Sequence, residues 1–183
     1  MKRSTDDIGY EIINQILISE VCFDICKSIP IIAGRGNDFL PFYYNLNFSK
    51  AIISLHSLLT ATLPNELSIK NYLKQYKEDF PDKILDDFEA EITSISKLFE
   101  ETLPISLRHK VCAHIDQGFK HSDFTCAYIL PESLKNYIAI VQNLKKTFLK
   151  FCNHSQTDYP FGKIVEQSKS AIKLMTSNSF PSL

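Results

Sequence analysis

Apolar residues recur along this chain at spacings of three and four, the period of a helix with one buried face. Ile8, Ile12, Ile16, Ser19 and Phe23 fall on one line, and Ile13, Leu17 and Val21 widen it to a broad stripe. The spacing predicts a first helix over 6–28, opened by Ser4 and Asp7 in a variant of the capping box. A second helix is expected over 39–63, with Phe48, Ile52, Leu55 and Leu59 inward and Pro41 able to break its start. A short helix near 68–80 carries Tyr72, Leu73 and Tyr76 on one side. Asp82 can cap a long helix to about 102, whose inward line is Leu85, Phe88, Ile92, Ile95 and Phe99. The strongest amphipathic pattern runs over 132–153, through Leu134, Ile138, Val141, Leu144, Phe148 and Phe151.

Prolines 30, 64, 81, 104, 131 and 160 fall between these patterns, where a missing amide costs least. The loop at 30–37 contains Gly34-Arg35-Gly36 but lacks the strand and the further glycines of a dinucleotide loop. Between 117 and 131 the helical pattern lapses, and 124–130 has strand character, so a loop with a short extended piece is expected there. Striped helices of this kind shield one another by packing side by side. The expected fold is all-α: a four-helix bundle with additional short helices. It forms a single helical domain over 1–183, with the core bundle at about 6–153 and a C-terminal helix at about 162–176.

Composition narrows the function classes. Of 183 residues, 44% are hydrophobic and 22% charged, a globular balance rather than a disordered one. A chain of this length buries roughly 70% of the surface its unfolded form exposes. Only five glycines argue against a hairpin-rich β fold. The net charge of −1 gives no global attraction for nucleic acid, so phosphate recognition would need a local cluster. Cys22, Cys26, Cys112, Cys126 and Cys152 contain no CxxC pair, which removes zinc-ribbon and thioredoxin readings. Cys22 and Cys26 are expected to pack as small hydrophobes. Free thiols fit a reducing, cytoplasmic setting. The first seven residues are polar and acidic, unlike a signal peptide, and no apolar run is long enough to span a membrane.

Three polar or aromatic patterns have ordinary structural accounts. The aromatics Phe39, Phe42, Tyr43, Tyr44 and Phe48 could stack bases, but core or dimer packing is the favoured account. Lys70, Lys74 and Lys77 read as a solvated face, and so do Asp86, Asp87, Glu89 and Glu91.

Candidate chemistry concentrates in Ser106 to Asp116, Ser-Leu-Arg-His-Lys-Val-Cys-Ala-His-Ile-Asp. On a helix, Arg108 and His114 are separated by about 9 Å of rise and about 120° of rotation. They are not stacked neighbours, so a phosphate held by both would sit in a groove beside the helix. A second copy across a twofold axis would supply such a groove. His114 borders an apolar line with Leu107 and Val111, and an imidazole of ordinary pKa, about 6.5, suits proton transfer near neutral pH. Arg108 near a helix start opposes the dipole, a misfit that a bound anion would offset, and that Glu100 or Glu101 would offset equally. His109, Cys112 and Asp116 share a face, which admits a thiol–imidazole or metal site on helical spacing alone. No serine-hydrolase elbow or phosphate-binding P-loop occurs.

The run Leu107-Arg108-His109-Lys110-Val111-Cys112-Ala113-His114-Ile115-Asp116 resembles the signature of the HEPN superfamily. These helical-bundle proteins carry Arg, then four to six residues, then His, often with a polar residue after the Arg and Ala before the His. Here five residues intervene, His109 is the polar follower and Ala113 precedes His114. The Ala-His-x-Asp ending is similar to the abortive-infection branch. The resemblance implies metal-independent RNA cleavage, needing no cofactor, in a toxin or antiphage effector. His114 would move a proton at the attacking 2′-oxygen or the leaving oxygen, and Arg108 would stabilise the phosphoryl transition state. His109 would position the substrate phosphate or His114, and Lys110 would contact the substrate. It also implies a homodimer with two motifs lining one cleft, RNA as a partner, and a cognate antitoxin protein. Asp116 stands where many toxin members carry a modifiable Tyr, so that form of control is not implied. Many superfamily members are catalytically silent, so a non-catalytic helical module for protein or RNA interaction is the alternative.

Overall fold

The computed structural model describes residues 5–29, 39–61, 66–103 and 131–152, together with Glu166, Gln167, Ser170 and Lys173. Among the described residues there are α-helices, one short 3-10 turn and no strand: α1 (Thr5–Ser28), α2 (Phe39–Thr60), α3 (Ile69–Tyr76), the 3-10 turn Lys77–Asp79, α4 (Asp82–Thr102) and α5 (Pro131–Cys152). The all-α expectation holds. Glu166, Gln167, Ser170 and Lys173 are helical, within the span expected for a C-terminal helix, and the rest of that span lies outside the described residues.

The helix ends follow from local chemistry. Pro41 does not break α2. It sits in the first turn, where its missing amide has no intrahelical acceptor to lose. That helix stops at Thr60, short of the expected 63. Ser68 is the cap of α3 rather than part of it, and its hydroxyl accepts the amide of Asn71 at 3.2 Å. Asp82 is the first residue of α4, not its cap. Pro81 holds the cap position with no side-chain bond, and Asp82 instead places its charge against the positive end of the helix.

The four long helices form an antiparallel up-down-up-down bundle. α1 packs on α2 and on α5, α5 packs on α4, and α2 meets α4 along a shorter contact. Residue pairing gives the directions. Gln15 meets Ser54, and Cys26 meets Tyr44, so α1 and α2 run opposite ways. Phe88 meets Phe151 and Thr102 meets Tyr137, so α4 and α5 do too.

α1 is the central helix, and the sequence explains why its stripe is so broad. A helix with so broad an apolar stripe must be covered on more than one side. Of its described side chains only Asp7, Tyr10 and Lys27 are exposed. Small residues let α2 approach it closely. Ser19 is fully buried, donates to the Gln15 carbonyl at 2.9 Å, and lies 3.5 Å from the Ala51 carbonyl oxygen. Ser54 donates to the Gln15 side chain at 3.1 Å, so polar groups at this seam are paired.

Two ring clusters fill the ends of the core. Near one end Phe23 of α1 stacks on Tyr137 of α5 at 5.6 Å, and Phe48 of α2 meets both edge-on at 5.8 and 5.4 Å. Near the other, Phe88 stacks on Phe151 at 4.0 Å, Phe80 lies 4.4 Å from Phe151, and Tyr72 of α3 packs on Phe148 at 5.8 Å. The stacked and edge-on pairs among these are arrangements that aromatic quadrupoles favour, and the Phe80–Phe151 and Tyr72–Phe148 pairs are tilted between the two. Tyr44 and Phe48, from the aromatic-rich start of α2, are therefore core residues, with Tyr43 half-buried against them.

Candidate functional site

Arg108, His109, Lys110 and His114 lie outside the described residues, as do Cys112, Asp116 and the 124–130 stretch. The structure defines the two helix ends that this part of the chain connects. α4 ends at Thr102, and Leu103 is fully buried with its amide donating to the Phe99 carbonyl at 2.9 Å. The Tyr137 hydroxyl donates to the Thr102 carbonyl oxygen at 3.3 Å. α5 begins at Pro131, about 9 Å of helical rise before Tyr137. The exit from α4 and the entry to α5 therefore stand at the same end of the bundle, clamped by one hydrogen bond. Of the two acids able to offset Arg108, Glu101 already approaches Lys97 at 4.0 Å in an exposed i,i+4 pair of little energetic weight.

The described residues form a groove of mixed apolar and polar lining at the α4–α5 junction, of about 190 Å³. Ile84, Asp87, Phe88 and Glu91 line it from α4, and Thr147, Lys150 and Phe151 from α5. Thr147 is buried, and its hydroxyl donates to Glu91 Oε2 at 2.8 Å. Lys150 Nζ reaches Glu91 Oε1 at 3.5 Å from an exposed position. The Thr147 hydrogen bond, helped by Lys150 and Lys146, holds the Glu91 carboxyl below its ordinary range. Glu91 is an anion at neutral pH, held by Thr147 and approached by Lys150. The sequence reading placed Glu91 on a solvated face. Its exposure bears this out, while the bond to Thr147 had no signal in the helical spacing.

The thiols of α1 offer no nucleophile. Cys22 and Cys26 are buried, as expected of small hydrophobes. Desolvation pushes Cys22 up to about 11 and Cys26 higher still. Cys26 donates to the Tyr44 carbonyl at 3.5 Å. The Tyr44 hydroxyl is buried and has no hydrogen-bond partner among the described residues, and burial raises its pKa. No group of three metal-ligating side chains occurs among the described residues. No described helix is long and apolar enough to cross a membrane.

Compared with protein-family models, with curated proteins and with solved structures, the chain matches none.

Proposed function

We propose that this chain is a HEPN-like, metal-independent endoribonuclease of the toxin or antiphage-effector kind, acting in the cytoplasm as a homodimer. The observation that carries the reading is the Arg108-x5-His114 spacing with Ala113 before the histidine. The all-α bundle is consistent with it, and in the sequence the run falls between two long antiparallel helices, α4 and α5. In the reaction, the 2′-oxygen of a ribose attacks the adjacent phosphorus and the bond to the 5′-oxygen breaks. A 2′,3′-cyclic phosphate and a free 5′-hydroxyl result. His114 takes or returns the proton, Arg108 meets the charge on the phosphoryl oxygens, and His109 and Lys110 hold the substrate phosphate.

α4 carries seven acidic residues against Lys83 and Lys97, a net −5 in a chain of net −1, so all other residues together carry +4. Arg108 comes six residues after Thr102, the last residue of that acidic helix, so phosphate binding would rest on the local cations Arg108 and Lys110.

A second reading, a non-catalytic interaction module that binds a protein such as an antitoxin, is favoured by one observation. Leu46 and Ile53 on α2 are 55% and 41% exposed and lie two helical turns apart on one line. The two readings separate when purified protein is incubated with total RNA in EDTA, beside Arg108→Ala and His114→Ala. The nuclease reading expects cleavage by the parent and none by either variant, with helical content unchanged in both. The module reading expects intact RNA throughout.

A further inference from the structure

We infer that Lys27 and Arg35 bind RNA phosphates flanking the one assigned to Arg108 and His114. These contacts extend the nuclease reading and rest on it for the reacting phosphate. Four helix ends meet at one end of the bundle. Cys26 donates to the Tyr44 carbonyl, so the end of α1 lies beside the start of α2. The Tyr137 hydroxyl ties α5 to the end of α4, and the Phe23, Phe48 and Tyr137 rings join the two pairs. The connections 30–38 and 104–130 therefore leave from the same end.

Lys27 stands at that end. It follows Phe23 by four residues, so it lies one turn further along the same face of α1. Phe23 stacks on Tyr137, which makes this the face turned toward the start of α5. Lys27 is exposed there. Arg35 and Arg108 lie outside the described residues, and chain length bounds where they can be. A residue spans at most about 3.6 Å, so Arg35 is within about 14 Å of Phe39 and Arg108 within about 18 Å of Leu103. A helix of 22 residues is about 33 Å long, so both are confined to this half of the bundle.

Residue type selects the occupant. Arg3, Arg35 and Arg108 are the only arginines among 20 lysines and arginines. Two of the three fall in the connections that leave this end. A guanidinium grips phosphate through paired N–H donors, and an ammonium adds a point charge. Gly34 and Gly36 place no side chain on either side of Arg35 to crowd an incoming phosphate. With a net charge of −1, the chain attracts RNA only where cations gather. A single strand that reacts at His114 carries its neighbouring phosphates across this same end.

The test uses the full chain and a labelled single-stranded RNA with every 2′-hydroxyl methylated, which binds without being cut. Fluorescence anisotropy at several salt concentrations compares the parent with Lys27→Ala and Arg35→Ala. Lys74→Ala is the control, an exposed lysine on α3, which packs at the opposite end through Tyr72 and Phe148. Circular dichroism verifies that each variant is folded. Affinity should fall about tenfold in Arg35→Ala and by less in Lys27→Ala. In each, the slope of log affinity against log salt should flatten by about 0.7, the loss of one phosphate contact on a single strand. Arg35→Lys should restore that slope, and Lys74→Ala should match the parent. With cleavable RNA, both alanine variants should raise KM and keep kcat. Parent affinity and slope in Lys27→Ala and Arg35→Ala would overturn the inference. So would an equal loss in Lys74→Ala, which marks unspecific attraction, or no binding by the parent. If the variants weaken binding as expected while the parent leaves cleavable RNA intact, the phosphate contacts stand and the nuclease reading fails.

Discussion

Tyr137 donates its hydroxyl to the Thr102 carbonyl across 3.3 Å while its ring stacks on Phe23 and meets the edge of Phe48, so one side chain joins all four long helices. The bond also satisfies a carbonyl in the last turn of α4, where no intrahelical amide is available. Tyr137→Phe keeps the ring and removes the bond. It should lower stability by about 1 kcal/mol in chemical denaturation, with the m-value unchanged.

Tyr44→Phe should behave in the opposite way. Its hydroxyl is buried without a partner among the described residues, a state that costs free energy in the fold. The variant is expected to melt at the same temperature as the parent or higher, and a clear loss of stability would show that the hydroxyl is bonded.

Gly9 lies inside α1 beneath Tyr72. A methyl group added there would meet the Tyr72 ring and hydroxyl at 3.5 to 3.9 Å, ordinary contact distances. Gly9→Ala should therefore raise stability by about 0.5–1 kcal/mol through helix propensity. Thermal melts of the two proteins decide this directly.

The folded-state pKa of Glu91 is depressed, mainly by the Thr147 hydroxyl. A carboxylate of this kind contributes stability in full above its unfolded pKa, about 4.3, and the contribution is lost as pH falls through the folded value. Thr147→Val removes the donor. The Glu91 titration, followed by carboxyl carbon NMR shifts, should move up toward the ordinary range. Because Glu91 is partly exposed, solvent screens the interaction, and the shift in midpoint is a sharper readout than the melting temperature.

Cys22 and Cys26 should resist alkylation while the chain is folded. Only the thiolate reacts, and burial suppresses it in both. Site-resolved mass spectrometry after iodoacetamide treatment at mildly alkaline pH should find both unmodified in native protein and modified after denaturation. Stability should fall above the ordinary thiol pKa, since the unfolded thiols ionise first while Cys22 holds its proton to about pH 11.

The helices were legible in the sequence because a buried face imposes its period on the residues that line it. Leu85, Phe88, Ile95 and Phe99 were named from spacing and are the buried residues of α4. Ends were less legible, since a cap depends on which neighbouring amide a side chain reaches, as Ser68 and Asp82 show. Contacts between helices were not legible at all. Thr147 and Glu91 are far apart in the chain, and nothing in either local pattern marks their hydrogen bond. Arg108, His109, Lys110 and His114 were singled out by residue chemistry and lie outside the described residues, so the chemistry assigned to them rests on the sequence.

The most direct measurement is the identity of the RNA ends left by the purified chain in excess EDTA. The account predicts fragments with 2′,3′-cyclic phosphate and 5′-hydroxyl termini, formed by the parent and absent with Arg108→Ala and His114→Ala. Intact RNA with the parent, or fragments that form equally well with both variants, would contradict it.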